Sequence, residues 1–243
     1  YVEQDLAPGQ SVPLSREQAH YLFGVMRLGV GAQVLLFNGR DGEFLADVAE
    51  AGKRGGVLVC VSVTRDLQMP PDLWLLFAPI KKARTDFIVE KAAEMGASRI
   101  VPVMTEFTNA GRVQQARLQA HAVEAAEQCG GTFVPEVAEA VKLDRLMAGW
   151  DRSRMIMFCD ETGAGSPDPG LDQFRKSGPT QRWAILVGPE GGFSERERDL
   201  MRNLVGTVYN AGLGPRILRA DTAAVAAMAL WQRALGEWQW FDE

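Results

Sequence analysis

Leu186-Val187-Gly188-Pro189-Glu190-Gly191-Gly192-Phe193, running on into Ser194-Glu195-Arg196-Glu197, is the stretch on which the fold turns. Trp183 to Val187 is a short apolar run, the composition of a strand buried on both faces of a parallel sheet. It stops at glycines, which let backbone approach a ligand closely. The chain restarts at Ser194 and Glu197, spaced as a capping box that opens a helix. Strand, glycine turn and helix in this order place the turn at the carboxyl end of a strand, where α/β sheets bind ligands. A tight turn that only starts a helix carries the same pattern, so this stretch alone leaves both readings open.

A second junction of the same kind follows at Leu213-Gly214-Pro215-Arg216-Ile217-Leu218-Arg219-Ala220-Asp221-Thr222-Ala223. A strand over Val208 to Ala211 and a Gly-Pro bend lead to two arginines and an Ala-rich helix from about Thr222, with Asp221 or Thr222 suited to the N-cap. Two glycine-rich junctions in one sheet favour a cofactor cleft more than either does alone. Arg216 and Arg219 would otherwise be solvated or paired, and Asp221 a cap and nothing more.

Outward from these junctions the pattern stays α/β. Leu73 to Ile80, Arg99 to Met104 and Met155 to Cys159 are further buried strands. Between them, Thr85 can cap a helix with Ile88, Ala92 and Met95 on one face, ended by Gly96. Leu118, Ala122, Ala125 and Cys129 mark a second, ended by Gly130-Gly131. Alternating strands and helices over about 170 residues imply a largely parallel sheet covered on both faces. Gly163 to Gly170 is expected to be a surface loop. Before Pro70-Pro71 the chain changes character. Gln33 to Phe37, Phe44 to Val48 and the alternating Val57, Val59, Val61 and Val63 are strands joined by glycine turns, consistent with a small barrel. A helix from Arg16 to Arg27, opened by Ser15, interrupts them.

Composition narrows the function. The 243 residues are 47% hydrophobic and 23% charged, with a net charge of −5. That charge counts against a nucleic-acid partner, although local basic groups, such as Lys81, Lys82 and Arg84 or Arg16 and Arg27, can outweigh an acidic mean. No apolar run reaches the roughly 18 residues of a membrane helix, and no signal peptide opens the chain. It begins at Tyr1 rather than Met, so a longer native N-terminus is expected. Three scattered cysteines and two histidines make neither a zinc site nor a disulfide framework, which points to a reducing, cytoplasmic setting and no metal. No P-loop or dinucleotide fingerprint is present.

The two junctions resemble the late motifs of the bacterial 16S rRNA uridine-N3 methyltransferases, a family of the knotted SPOUT class. Val25-Met26-Arg27-Leu28-Gly29-Val30-Gly31 resembles its N-terminal motif. Glu90 to Gly96 resembles the helix after the first strand of its catalytic domain, and Glu124 to Gly130 with Val134-Pro135-Glu136 its middle motif.

The resemblance implies a PUA-like β-barrel for RNA binding over 1–69. Over 70–243 it implies an α/β methyltransferase domain with a deep trefoil knot, assembled as a homodimer. S-adenosylmethionine would lie in the knot against Leu186, Val187, Gly188, Glu190, Gly191, Gly192, Ala211, Leu213, Gly214, Ile217 and Leu218, with the loop near Asp160 as a third wall. Arg219 and Asp221 would be catalytic. Arg27, Lys81, Lys82, Arg84 and Arg216 would hold the phosphates of 16S rRNA within the small ribosomal subunit. The chain departs from the family in carrying Asp221 where glutamate is usual, and Phe107 and Gly131 where arginine is common. A knotted enzyme acting on another RNA or a ribose hydroxyl, a non-catalytic RNA-binding or assembly protein, and a metabolic nucleotide enzyme remain as alternatives.

Overall fold

The computed structural model describes residues 1–163, 170–177 and 181–239; positions 164–169 of the expected surface loop lie outside the described residues. The chain divides into two compact units, one of residues 1–69 with 130–134, the other of 70–129 with 135–243.

In the first unit β1 (Ser11–Pro13), β2 (Gln33–Phe37), β3 (Glu43–Gly52) and β4 (Gly55–Arg65) form one sheet in the order β1-β4-β3-β2, with every pair antiparallel. Alternating residues put Phe44, Ala46 and Val48 of β3, with Leu58 and Cys60 of β4, into a core shared with Val2, Leu6, Val12 and Leu36. Ser15 caps a short helix α1 (Arg16–Ala19) through a complete capping box with Gln18. The expected helix to Arg27 does not stay α. It widens into a π-helix over His20–Val25, and Arg27 sits at φ 58°, the one non-glycine residue with positive φ among the described residues. Gly24 within that segment weakens any regular turn, and the extra residue per turn is accommodated there.

The second unit holds a seven-stranded sheet in which every pairing is parallel. Its strands are β5 (Leu73–Phe77), β6 (Arg99–Met104), β7 (Glu136–Val137), β8 (Val141–Lys142), β9 (Arg154–Cys159), β10 (Arg182–Val187) and β11 (Val208–Asn210). The order is β11-β9-β10-β5-β6-β7, with β8 also on β6. Leu76, Val101, Ile156, Phe158, Ala184 and Leu186 line one face. They pack there with Leu143 and Met147 of α4 (Leu143–Ala148) and Met201 of α5 (Glu195–Arg202). Ile185 and Val187 alternate with Ala184 and Leu186 and are buried on the other face. Helices α3 (Gln115–Cys129) and α6 (Ala220–Leu235) both pack against α2 (Lys82–Glu94), and α6 also packs against β10.

Three sequence expectations need correcting. Thr85 is not the N-cap of α2. That place is taken by Lys81, while the buried Thr85 hydroxyl accepts from Ile80 N at 3.0 Å and donates to Ile80 O at 3.1 Å, tying the incoming strand to the helix. The cap of α6 is Arg219, without a side-chain bond, because Ala220 and Asp221 are already helical. Cys129 is exposed at the end of α3, and Ala126 takes the inward place beside Leu118, Ala122 and Ala125. The short β1, β7, β8 and α4 carry too few residues to show a period, and the sequence does not announce them.

Candidate functional site

Strands β9, β10 and β11 are neighbours, so the segments leaving their carboxyl ends converge on one cleft. Cys159, Asp160 and Glu161 follow β9. Val187, Gly188, Pro189, Gly192 and Phe193 follow β10. Ala211, Leu213, Gly214, Arg216, Ile217 and Leu218 follow β11, and Ala220 and Ala223 of α6 complete the lining.

Eight of the eleven positions singled out for a cofactor therefore line the cleft: Val187, Gly188, Gly192, Ala211, Leu213, Gly214, Ile217 and Leu218. Leu186 does not; it is a fully buried core residue of β10. Glu190 is exposed on the turn, and Gly191 is exposed beside it, packed under Phe107. Alternation along a strand decides the first case, since Leu186 points to the core face when Val187 points away from it. Pro189, Phe193, Ala220, Ala223 and Cys159 were not singled out. They follow from their neighbours only once the three loops are known to meet.

The glycines are demanded by geometry. Gly192 has φ 68°, and a Cβ there would stand 2.5 Å from Glu161 Oε1; a Cβ on Gly188 would stand 2.8 Å from the Phe193 ring. The turn closes through Gly192 N donating to Pro189 O at 3.0 Å. Ser194 then caps α5: its hydroxyl accepts from Glu197 N at 3.3 Å, and Glu197 Oε2 accepts from Ser194 N at 2.9 Å. The other oxygen of this buried carboxylate accepts from Glu106 N at 2.8 Å. Glu197 thus pins the glycine turn and the loop after β6 together, and such a cap is worth about 1 kcal/mol.

The β9 wall is held from α5. Arg198 donates from Nε and Nη2 to Asp160 at 2.8 and 3.2 Å, a bidentate pair with little exposure on either side. Burial pushes the Asp160 carboxyl up, but hydrogen bonds from Arg198 and Thr162 and the Arg198 charge outweigh it and hold the group below its ordinary value.

At the mouth, Arg216 and Arg219 are exposed and pair with no carboxylate among the described residues. Asp221 is engaged. Its Oδ2 accepts from Arg84 Nη1 at 2.9 Å, and its Oδ1 accepts from Thr222 N. Arg84, expected to contact phosphate, is thereby tied to α6, whereas Lys81 and Lys82 are exposed without such a tie. Arg27, exposed, belongs to the other unit. Among the described residues no group of three or more His, Cys, Asp or Glu side chains is placed to hold a metal ion, and no helix is long and apolar enough to cross a membrane.

The cleft thus combines the backbone of glycine turns, an apolar lining and the Glu161 carboxylate, Asp160 being already paired with Arg198. The family model described as an RNA methyltransferase domain matches residues 68–232, and one described as an RNA methyltransferase PUA domain matches 14–59. The ribosomal RNA small subunit methyltransferase E of Rickettsia conorii is 29% identical over 233 residues, 94% of this chain and 92% of that protein. Among solved structures, the enzyme of that name from Neisseria gonorrhoeae, bound to S-adenosyl methionine, is 26% identical with a TM-score of 0.84 over 97% of both chains. A putative methyltransferase from Legionella pneumophila, solved with bound cofactor SAM, is 28% identical with a TM-score of 0.83 over 98% of this chain and 97% of that one. With the cleft at the carboxyl edge of a parallel sheet and a family match across two thirds of its length, this chain belongs to the RNA methyltransferase family.

Proposed function

We propose that this protein methylates N3 of a uridine in 16S rRNA of the small ribosomal subunit, using S-adenosylmethionine. The observation that carries the proposal is the three-loop cleft with the unpaired Arg219 directly beside Leu218 and Ala220, both of which line it. The cleft suits the cofactor: glycine turns and apolar side chains form its walls, and Glu161 puts a carboxylate in its lining for a sulfonium. When bound, S-adenosylmethionine supplies an electrophilic methyl group.

The chain's own residues do the rest. N3 of uridine lies on the pairing edge, so the base must be unpaired or flipped to be reached. Loss of the N3 proton to solvent water spreads negative charge onto O2 and O4, and the N3 lone pair takes the methyl group as the thioether leaves. The Arg219 guanidinium, exposed and uncommitted, is placed to stabilise that charge as it develops. Asp221 serves chiefly through its pair with Arg84, which fixes the first turn of α6 and hence the direction in which Arg219 leaves it. Arg216, Lys81 and Lys82, with Arg27 of the N-terminal unit, contact phosphates. The loops at 186–192 and 211–218 form the walls of a deep trefoil knot. The N-terminal sheet is a PUA-like barrel that binds RNA, and the working form is a cytoplasmic homodimer.

The test is transfer of tritiated methyl from S-adenosylmethionine to small subunits and to free 16S rRNA, with nucleosides resolved by mass spectrometry. Label in 3-methyluridine is expected. Label only in another nucleoside would move the protein to another target, and no label despite saturable cofactor binding would overturn the activity.

A further inference from the structure

Among the described residues of the second unit, few large apolar side chains stand exposed; Ile217, 70% exposed, lines the cleft, and Phe107, 47% exposed, packs on Gly191, the neighbour of cleft-lining Gly192. Phe107 is the aromatic one, and its backbone is unusually well held. Thr105 N donates to Thr108 Oγ1 at 2.9 Å, Thr108 N returns to Thr105 O at 3.2 Å, and the two hydroxyls meet at 2.8 Å. The intervening Glu106 N is fixed by the buried Glu197 that also caps α5. Gly191 lies under the ring. A Cβ there would sit 3.2 Å from Phe107 Cβ, so the absence of a side chain on Gly191 is what lets the phenylalanine lie against the cofactor turn. An aromatic ring on a hydrogen-bonded turn, half in solvent and packed on the neighbour of cleft-lining Gly192, offers a splayed-out base a face for stacking.

We propose that Phe107 is the platform on which the target pyrimidine stacks once it has left its own helix. The inference rests on the methyltransferase reading above and deepens it. It gives Phe107 direct contact with the substrate base, and it makes Glu197, through Glu106, the residue that positions the platform. The neutral ring selects for an unpaired base by its face, not by charge, so its loss weakens RNA engagement and leaves the cofactor alone.

The experiment compares Phe107→Leu, Phe107→Tyr and Phe107→Trp in steady-state methylation of small subunits, alongside calorimetric titration with S-adenosylmethionine. Leucine keeps the apolar contact with Gly191 and loses the stack. Its KM for RNA is expected to rise roughly tenfold or more, with kcat less affected and cofactor affinity unchanged, while tyrosine and tryptophan restore KM. A leucine variant equal to the wild type, or one whose cofactor affinity and KM worsen together while tyrosine and tryptophan fail to rescue, overturns the stack and leaves the methyltransferase reading standing. A wild-type protein that methylates no rRNA overturns both.

Discussion

At the amino end of the parallel sheet Arg154 is 4% exposed and fully committed. It donates to Asp72 O and Trp183 O at 3.1 and 2.9 Å, pairs with the Asp72 carboxylate, and lies 3.9 Å from the centre of the Trp74 ring. Arg182 beside it is bound to Asp72 and Asp151. At the carboxyl end of the same sheet Arg216 and Arg219 are exposed and pair with no carboxylate among the described residues, and the chain around them is glycine and proline instead of strand. The same side chain thus closes one edge and leaves the other open for a ligand. Where an arginine's charge is already spent on protein acceptors it adds to stability; where it is left over beside a cleft it is available to chemistry.

The sharpest break of this comparison is a pair of alanine variants. Arg219→Ala is expected to lower kcat/KM about a hundredfold or more with no change in the unfolding midpoint. Arg154→Ala leaves the Asp72 and Trp183 carbonyls without this donor and Asp72's carboxylate with Arg182 alone, and is expected to lose roughly 2 kcal/mol of stability while the protein that remains folded keeps its activity. Urea unfolding read beside methyl transfer checks both. Two variants losing both quantities in parallel would mean that the edges are not separate in function.

A finer division uses two glycines with nearly the same backbone. Gly192 at φ 68° lies in the cleft; Gly130 at φ 69° follows α3 in open space. Alanine at either position meets the same left-handed strain, about 1 kcal/mol. Only at Gly192 does the added Cβ also press on Glu161. Equal losses of stability are expected, with cofactor affinity reduced roughly tenfold for Gly192→Ala alone, as measured by calorimetry.

These contrasts also show where the sequence is legible. The longer strands of the second unit's sheet are plain because burial on both faces makes them continuous apolar runs, and Arg99–Met104 is found to the residue. Ser15 with Gln18 and Ser194 with Glu197 are legible because a capping box is a local device. The cleft is partly legible, since the glycine junctions mark the β10 and β11 walls. What stays hidden depends on partners far along the chain. Arg84 is 137 residues from Asp221, and Glu197 is 91 from Glu106. No spacing rule connects them. The π-helix at His20–Val25 is hidden for a different reason, because its apolar pattern also suits an α-helix.

Arg84 gives the smallest and most discriminating effect. As a basic residue two positions past Lys82 it belongs by sequence to the RNA-binding group; by geometry its partner is Asp221, in a partly buried pair worth about 1 kcal/mol. The two roles separate in salt. A phosphate contact contributes to the slope of log affinity against log salt, and its loss reduces that slope by about one. An anchor of α6 does not enter the slope. It changes how Arg219 is presented and therefore kcat, by a few-fold. Arg84→Ala is expected to leave the salt slope of RNA binding unchanged and to lower kcat, and Lys82→Ala to do the reverse. A fall of one unit in the slope for Arg84→Ala would return that residue to the RNA surface and leave Asp221 free to act on the proton at N3.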